Sequence, residues 1–288
     1  MTYNYPIDFK DALETFITQA LKEDLGSGDV SGMACLNSYA SGTARCIVKQ
    51  SGILAGVEMA RLIFKHYAPS LEFTPLLSDG TLVEKGAIAF EVSGAQAAIL
   101  ATERLVLNCM QRMSGIATLT HETQALIGHT SCKILDTRKT TPNFRVAEKW
   151  AVQIGGGTNH RIGLYDMVML KDNHIDYCGG VTKAIETTLA YLAREKRDIP
   201  VIVETRTLAE VRECLEFPML YRILLDNMSV SLMREAVALV NRKTPMEASG
   251  NITRETIVAV AETGVDFISM GAITYSAGVL DISLKAVS

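Results

Sequence analysis

Short apolar segments alternate with helical patterns of apolar residues over the second half of the chain, from residue 133 onward. Each apolar segment is three or four residues long, and the stretches between them repeat apolar residues at the spacing of an amphipathic helix. This alternation is typical of parallel βα units, and so many units in a row predict a (β/α) barrel or an open doubly wound sheet. The predicted strands are Lys133–Leu135, Met167–Leu170, Pro200–Val203, Ile223–Leu225, Met246–Ala248 and Phe267–Met270, and the predicted helices include Val181–Glu195, Leu208–Leu215, Val230–Val240 and Arg254–Thr263.

The first part of the chain has a different pattern, in which short strand-like runs are separated by turns that contain glycine. Apolar residues from Leu13 to Leu21 fall at helical spacing, and Asp8 is expected to cap that helix. The glycines of Glu23–Asp29 are expected to end it, a metal-binding loop at its three acids being the alternative. The runs predict a small α+β domain, with strands at Ala44–Lys49, Leu71–Leu77 and Ile88–Val92 and a helix at Val57–Tyr67.

Two further helices, Ala95–Gln111 and Ser114–Ile127, are predicted to meet near Gly115, because glycine weakens a helix interior. The apolar run Ala87–Leu100, which leads into the first of them, contains Glu91 and is too short to cross a bilayer. No membrane span is therefore expected.

Polar or glycine residues follow every predicted strand of the second half. From Lys171 to Gly271, successive positions of this kind lie 33, 22, 23 and 22 residues apart, one βα unit per step. Parallel strands place their carboxyl ends at one edge, and in a (β/α) barrel that face carries the active site. One such residue is usually a solvated loop residue, but a whole series indicates a ligand site, where glycine admits a ligand to the backbone. The residues are Asp136-Thr137-Arg138-Lys139, Lys171-Asp-Asn-His174, Glu204, Asp226-Asn-Met228, Ser249-Gly250-Asn251 and Gly271.

Positive charge is concentrated between Lys133 and Asp172, where seven Lys and Arg residues accompany four Asp and Glu in a chain of net charge −4. Arginine suits bidentate capture of carboxylate or phosphate, and lysine supplies a compact charge for phosphate oxygens. Three consecutive glycines, Gly155–Gly157, precede His160 and Arg161. We interpret them as part of a mobile loop that brings both side chains to the pocket, a flexible connector being the alternative. The expected ligand carries carboxylates and phosphates.

Glu204 and Asp226 are acids at the ends of adjacent predicted strands on this cationic face. Carboxylate oxygens suit a divalent cation or ribose hydroxyls. Either acid alone is explained equally well as a counter-charge that neutralises the neighbouring lysines. If the two acids instead bind a divalent cation or ribose hydroxyls, the ligand also includes a sugar and Mg²⁺.

Composition excludes several classes of protein. The 288 residues carry a net charge of −4 with a pI near 5.8, whereas proteins that bind nucleic acids or membrane surfaces are broadly basic. The stretch Met1–Lys22 lacks the pattern of a secretory signal. Six cysteines are scattered without metal-like spacing, as expected for reduced thiols. The sequence therefore predicts a cytoplasmic metabolic enzyme of the α/β class that binds neither nucleic acid nor a membrane.

Several motifs, in order along the chain, resemble those of quinolinate phosphoribosyltransferases, the carboxylating nicotinate-nucleotide pyrophosphorylases of NAD biosynthesis. The resemblance extends to Glu23–Asp29 and Glu103–Asn108 and so covers nearly the whole chain. It implies an N-terminal α/β sandwich domain at residues 1–112 and an incomplete (β/α) barrel at residues 113–288, with the last residues packing back on the sandwich. The motifs are Asp136–Pro142, Gly155–Arg161, Leu170–His174, Leu225–Met228, Ser249–Asn251 and Ser269–Ala272.

The resemblance also implies a reaction and its partners. The reaction is transfer of a phosphoribosyl group from phosphoribosyl pyrophosphate to quinolinate with decarboxylation, which gives nicotinate mononucleotide, pyrophosphate and CO₂. The chain would then be a pentosyltransferase with Mg²⁺ as its cofactor, held by Glu204 and Asp226 through the substrate or water. A homodimer is implied as well, with Arg104 shared across its interface.

Site residues follow from the resemblance position by position. Lys139, Lys171, Glu204 and Asp226 are the implied catalytic residues, the lysines as cations between pyridine and phosphates and the acids as partners of ribose and Mg²⁺. At Tyr275 the sequence departs from a family segment that often carries histidine, and no phosphate role is assigned there. The other implied substrate contacts are Arg104, Arg138, His160 and Arg161 for the carboxylates, Ser249, Gly250, Asn251, Gly271 and Ala272 for the 5′-phosphate, and Thr137.

Three other functions compete with this one. A paralogue on the same scaffold would act on another anionic acceptor, and loss of one of the three arginines would favour it. A Schiff-base lyase would use Lys139 or Lys171 as its nucleophile. A simple anion-binding protein would be handicapped by the two acids Glu204 and Asp226 in its pocket.

Overall fold

The computed structural model describes residues 9–37 and 39–287, so the cap expected at Asp8 lies outside the described residues. The chain divides into two compact units. The first unit contains the described residues up to His121, with Lys139–Gly156 and the residues from Ala272 onward; the second contains Glu122–Arg138 and Gly157–Gly271. The domain boundary at residue 112 stays a prediction.

Helices and strands of the two units follow one another along the chain. The helices are α1 (Phe9–Leu25), α2 (Val30–Cys35), α3 (Val57–Tyr67), α4 (Gln96–Leu126), α5 (Arg145–Ile154), α6 (Asp172–Cys178), α7 (Val181–Arg194), α8 (Leu208–Cys214), α9 (Val230–Val240), α10 (Ile257–Ala261) and α11 (Ala272–Tyr275). The strands are β1 (Ser41–Val48), β2 (Gly52–Ile53), β3 (Glu72–Pro75), β4 (Leu82–Val83), β5 (Ile88–Ala95), β6 (Lys133–Leu135), β7 (Val168–Leu170), β8 (Val201–Thr205), β9 (Arg222–Asp226), β10 (Met246–Ser249), β11 (Phe267–Ser269) and β12 (Ile282–Val287). Within residues 9–37 and 39–287, no helix has the length and apolar character needed to cross a membrane.

A six-stranded sheet forms the centre of the second unit, in the order β6-β11-β10-β9-β8-β7. Neighbouring strands pair in parallel throughout, which confirms the predicted βα alternation. Because β6 and β7 stand at the two ends of this order, the sheet is an incomplete (β/α) barrel. Every residue of β8 is buried, as expected for a parallel strand covered on both faces.

Two helices of the second unit differ from the sequence-based expectation. The predicted helix Arg254–Thr263 is shortened to α10, because residues 253–256 form a turn in which Thr256 Oγ1 accepts from Thr253 N at 2.9 Å. The short helix α6 was not predicted from the sequence. Only Ile175 among its residues is buried, so the sequence has no apolar periodicity there.

An antiparallel sheet in the order β12-β1-β5-β3 forms the core of the first unit. Alternate residues of β1 are buried, namely Ala44, Cys46 and Val48, as in a strand with one covered face. Phe64 of α3 packs against Phe90 of β5, with ring centroids 6.0 Å apart, and α3 has the predicted bounds. The unpredicted strand β12 pairs with β1, so the end of the chain completes this sheet.

Helix α4 is continuous from Gln96 to Leu126, so the predicted break near Gly115 is wrong. Ser114 Oγ accepts from Ala55 N at 2.9 Å and donates to Ala55 O at 3.0 Å. A Cβ atom on Gly115 would collide with the carbonyl oxygen of Gly278. The Ser-Gly pair therefore allows other segments of the first unit to pack closely against the middle of α4, and it does not end the helix.

Replacing Gly115 with alanine is expected to lower the free energy of unfolding by about 1–3 kcal/mol, the usual effect of overpacking a core. The added methyl group would force the backbone at Gly278 to move. Thermal unfolding measures the effect as a fall in Tm of about 2–4 °C per kcal/mol. Gly278→Ala is the matched control, since nothing lies within 4 Å of a Cβ built there. Equal Tm values for the two variants would contradict this packing account.

Candidate active site

The carboxyl ends of the parallel strands lie at one edge of the second unit's sheet. Arg138 comes shortly after β6, Lys171 directly follows β7, and Glu204 and Asp226 lie in the last two residues of β8 and β9. Asp226 stands opposite Ser249 of β10 in the parallel ladder. The expectation that these strand ends share an edge is confirmed, whereas the binding roles of the residues stay predictions.

Lys171 and Glu204 form an ion pair at this edge, with Lys171 Nζ 3.1 Å from Glu204 Oε2. The Lys171 side chain is 47% exposed and that of Glu204 is 9% exposed. His174 Nδ1 accepts a hydrogen bond from Lys171 N at 3.0 Å, which orients the backbone where β7 turns into α6. A half-exposed lysine anchored by a buried acid can present its charge to a ligand.

The charge on Arg138 affects the pKa of Arg161. Burial lowers the pKa of Arg161 and the charge on Arg138 lowers it further, while Asp166 and Glu204 act in the opposite direction. Arg161 is buried, and its Nη1 atom donates to Met167 O at 3.3 Å. Asp166 and Glu204 offset part of this repulsion, and a ligand with carboxylate or phosphate groups would offset more of it.

The glycine-rich segment before His160 is held against β6. Thr158 forms a parallel bridge with Leu135. The fully buried Asp136 accepts a hydrogen bond from His160 N at 2.8 Å and another from the Asn159 side chain. Residues 158–160 thus extend the sheet edge beside β6, and the mobility of the glycine-rich segment stays a prediction.

The His160 ring is buried, and both of its nitrogens face protein atoms. Nδ1 accepts a hydrogen bond from Arg161 N at 2.6 Å, and Nε2 lies 3.3 Å from Glu247 Oε2. Glu247 is fully buried and accepts a hydrogen bond from Arg222 Nη1 at 2.7 Å. Sequence analysis missed Glu247 and Arg222, because a charged residue inside a predicted strand gives no indication of its partner. A direct contact of His160 with a substrate carboxylate stays a prediction.

The residues that follow β9 and β10 form linked turns beside Asp226. Asn227 Nδ2 donates to Asp226 Oδ2 at 2.8 Å, and Asn251 Nδ2 donates to Asn227 Oδ1 at 3.0 Å. Gly250 has a φ of +96°, and a Cβ atom there would collide with the Asn227 side chain. Glycine is therefore required for these two strand ends to approach each other. Asn227 is a site residue that sequence analysis named only as part of a motif.

The backbone around Lys139 is fixed within the first unit. Thr274 Oγ1 donates to Lys139 O at 2.9 Å. Two residues further on, Thr141 N and Oγ1 donate to the Glu148 carboxylate at 3.1 and 2.9 Å. Glu148 is fully buried and also pairs with Arg112 Nη2 at 2.9 Å. This network has no counterpart in the sequence analysis, and it sets the backbone that carries Lys139.

The other predicted contacts lie at element boundaries or on an exposed helix face. Thr137 lies two residues after β6, Gly271 two residues after β11, and Ala272 begins α11. Arg104 is exposed on α4. Tyr275, to which the sequence assigns no role, is the last residue of α11 and is 60% exposed.

The carboxylates at the strand ends fit a metal that is bound mainly through substrate and water. In the described part of the chain, no group of three or more His, Cys, Asp or Glu side chains could hold a metal ion. Mg²⁺ in phosphate-handling sites takes one or two carboxylates, its other ligands being water and substrate phosphates. Glu204 and Asp226, on the neighbouring strands β8 and β9, meet that requirement. Helix α1 ends at Leu25, directly before the first glycine of Glu23–Asp29, as predicted, and Asp29 caps α2 by accepting from Ser31 N.

Comparison with known proteins gives the same family over both parts of the chain. The family model described as "Quinolinate phosphoribosyl transferase, N-terminal domain" matches residues 29–114, and the one described as "Quinolinate phosphoribosyl transferase, C-terminal domain" matches residues 116–285. A curated relative from Oryza sativa subsp. japonica, named nicotinate-nucleotide pyrophosphorylase (carboxylating), chloroplastic, is 49% identical over 288 residues. The match covers 95% of this chain and 77% of the relative.

Solved structures agree with these matches. NadC from Streptococcus pyogenes has a TM-score of 0.90 at 34% identity, with 99% of this chain and 100% of that chain covered. The nicotinate-nucleotide pyrophosphorylase from Francisella tularensis has a TM-score of 0.89 at 38% identity, with 98% of each chain covered. Both similarities confirm the predicted fold class of an incomplete barrel with an N-terminal α/β domain. With two family models and close relatives that cover nearly all of its length, the chain belongs to the quinolinate phosphoribosyltransferase family.

Proposed function

We propose that this chain transfers the phosphoribosyl group of phosphoribosyl pyrophosphate to quinolinate with loss of CO₂, a step of NAD biosynthesis. The products are nicotinate mononucleotide and pyrophosphate. The cationic residues at the strand edge carry this proposal, because Arg138, shortly after β6, and Lys171, directly after β7, suit a ligand with carboxylate and phosphate groups. Membership of the family supports the reaction class, and the ion pair of Lys171 with Glu204 lies at the same strand edge.

The proposed reaction depends on orientation and charge stabilisation rather than on a strong base. The pyridine nitrogen of quinolinate is unprotonated at neutral pH, and its lone pair forms the bond to the ribose C1 atom as the bond to pyrophosphate breaks. Lys139 and Lys171 stabilise the negative charge of the departing pyrophosphate. Glu204 or Asp226 balances the positive charge that develops on the ribose. The ring nitrogen is then cationic and accepts the electron pair of the C2–carboxylate bond as CO₂ leaves, after which a proton is added at C2.

Mg²⁺ is the proposed cofactor, supported by the carboxylates of Glu204 and Asp226 on neighbouring strands. When bound, it supplies positive charge to the pyrophosphate leaving group. Glu204 and Asp226 would also hold the ribose hydroxyls. Backbone N–H groups of Ser249–Asn251 and Gly271–Ala272, with Thr137, are proposed to bind the remaining substrate oxygens, the first two segments taking the 5′-phosphate.

A homodimer in which Arg104 completes the partner's site is also part of the proposal. Arg104, Leu100 and Asn108 lie four residues apart on one face of α4, and all three are exposed. Leu100 is 49% exposed, so this face combines an apolar side chain with an arginine. Arginine is enriched in protein–protein interfaces, which supports a second chain as the neighbour of this face.

A cytoplasmic location is proposed from the state of the cysteines. All six are free thiols. Burial raises the pKa of Cys46, Cys109 and Cys214 to about 12, so these thiols are poor nucleophiles and do not readily form disulfides. Free thiols are typical of reducing compartments.

Product analysis with quinolinate or nicotinate as the acceptor tests the proposed reaction. With Mg²⁺ and phosphoribosyl pyrophosphate, we expect quinolinate to give nicotinate mononucleotide, pyrophosphate and CO₂, and kcat/KM for nicotinate to be far lower because it lacks the second carboxylate. Equal or greater kcat/KM with nicotinate would overturn the assignment. Borohydride trapping of a lysine–substrate adduct would indicate a Schiff-base lyase instead.

A further inference from the structure

The sheet of the second unit contains a buried ion pair that the proposed reaction does not use. Arg222 of β9 and Glu247 of β10 are 6% and 0% exposed as side chains, and Arg222 Nη1 lies 2.7 Å from Glu247 Oε2. The Arg222 guanidinium also stacks 3.9 Å from the centroid of the Phe267 ring. Apolar residues of similar volume usually give equal or greater stability than a buried ion pair. A contribution to stability is therefore a weak explanation for the buried pair of Arg222 and Glu247, and the other contacts of these two residues indicate a second role.

The oxygen of Glu247 that binds Arg222 also faces His160. His160 Nε2 lies 3.3 Å from Glu247 Oε2, and the two side chains are 5% and 0% exposed. Burial by itself raises the pKa of Glu247, but its contacts with His160 and Arg222 outweigh burial, and its pKa is lowered from the ordinary value. The carboxylate is thus ionised: it accepts a hydrogen bond from Arg222 Nη1 at 2.7 Å, and the same oxygen faces His160 Nε2 at an ion-pair distance of 3.3 Å.

The second ring nitrogen of His160 determines which tautomer is present. Nδ1 accepts the hydrogen bond from Arg161 N at 2.6 Å, so it must carry a lone pair. The ring proton is then on Nε2, directed at Glu247. Asp136 Oδ1 holds the backbone of the same histidine by accepting from His160 N at 2.8 Å.

We propose that Glu247, itself held by Arg222, is a positioning residue for quinolinate binding. By accepting from His160 Nε2, it keeps the tautomer whose Nδ1 binds Arg161 N, and so it sets the backbone from which the Arg161 guanidinium reaches a substrate carboxylate. A ring with its proton on Nδ1 would place two N–H groups against each other at Arg161 N, and the backbone there would shift. The inference rests on the proposed function only for the identity of the carboxylate ligand.

A matched pair of double variants tests the hydrogen bond separately from the charges. Arg222→Met with Glu247→Gln removes both charges but keeps an oxygen that can accept from His160 Nε2. Arg222→Met with Glu247→Met has a similar shape and keeps no acceptor. We expect the Gln variant to keep the wild-type KM for quinolinate within about twofold, and the Met variant to raise it about tenfold, the effect of one lost hydrogen bond. The KM for phosphoribosyl pyrophosphate and kcat should stay near wild type in both variants.

The ring ¹⁵N shifts of His160 in the unmodified protein provide a readout that does not depend on turnover or on the double variants. We expect a protonated Nε2 and an unprotonated Nδ1, with the signal assigned by its loss in His160→Asn. A proton on Nδ1 in the wild type, or an equal KM for quinolinate in the two double variants, would overturn the proposal. If the wild type does not turn over quinolinate, the proposed function fails, and the tautomer is still decided by the shifts.

Discussion

Lys171→Ala is expected to lower kcat for nicotinate mononucleotide formation by at least about 100-fold, the loss typical of removing one charge-stabilising group from an active site. The Lys171 ammonium group lies 3.1 Å from the Glu204 carboxylate, and the Lys171 side chain, directly after β7, is half-exposed. The charge is therefore available to the departing pyrophosphate, where it acts on the transition state more than on substrate binding. Initial rates at saturating concentrations of both substrates measure the change.

The fold should survive this substitution, because the Lys171 side chain is half-exposed and the charge on Arg161 still acts on the buried Glu204 carboxylate. Thermal unfolding checks that point on the same preparation. Lys183→Ala is the matched control, since Lys183 is an exposed lysine of α7 in the same unit and should keep full turnover. Near-wild-type kcat in Lys171→Ala, with a normal melting curve, would show that this lysine is an ordinary solvated residue.

Mixing Arg104→Ala and Lys171→Ala proteins is expected to restore about a quarter of wild-type activity from two nearly inactive preparations. After free exchange of subunits, about half of the dimers are mixed. In a mixed dimer, one site combines the intact Lys171 of one chain with the intact Arg104 of its partner, and the other site lacks both. Activity measured before and after demonstrated exchange gives the result.

The control for this experiment mixes two variants whose substituted residues both belong to the part of the site that a single chain supplies. Lys171 and Glu204 lie 3.1 Å apart within one chain, so Lys171→Ala mixed with Glu204→Ala should recover no activity. Recovery in that mixture would mean that the assay does not report on shared sites. If exchange is demonstrated and the Arg104→Ala mixture also stays inactive, Arg104 acts within its own chain or has no part in the reaction.

Periodicity along the chain was sufficient for elements with one apolar stripe facing a core. The helices Val230–Val240 and Val57–Tyr67 have the bounds that the sequence predicts. In such elements the spacing of buried residues is set by the geometry of the helix or strand itself, so distant partners need not be known. The shared edge of the strand ends follows from the same argument, because parallel βα units leave their carboxyl ends on one side.

Candidate site residues were accessible from the sequence where they follow a strand. Lys171 follows β7, Glu204 and Asp226 lie in the last two residues of β8 and β9, and the structure brings Lys171 and Glu204 into an ion pair. Residues that act through others were not accessible in this way. Glu148 lies within helix α5 and Glu247 within a buried strand, where a charge has many local explanations.

At some positions the local sequence supports two explanations equally well, and only the tertiary structure decides between them. The local sequence predicts a helix break at Gly115. In the structure, the carbonyl oxygen of Gly278, far along the chain, occupies the space that a side chain at Gly115 would need. The sequence predicts His160 as a pocket residue but does not indicate its partners, which are Asp136 at its backbone N and Glu247 at its ring. Strand β12 gains its partner only when the chain end returns to β1. In each case the local preference is weak, and contacts with residues distant in sequence decide the structure.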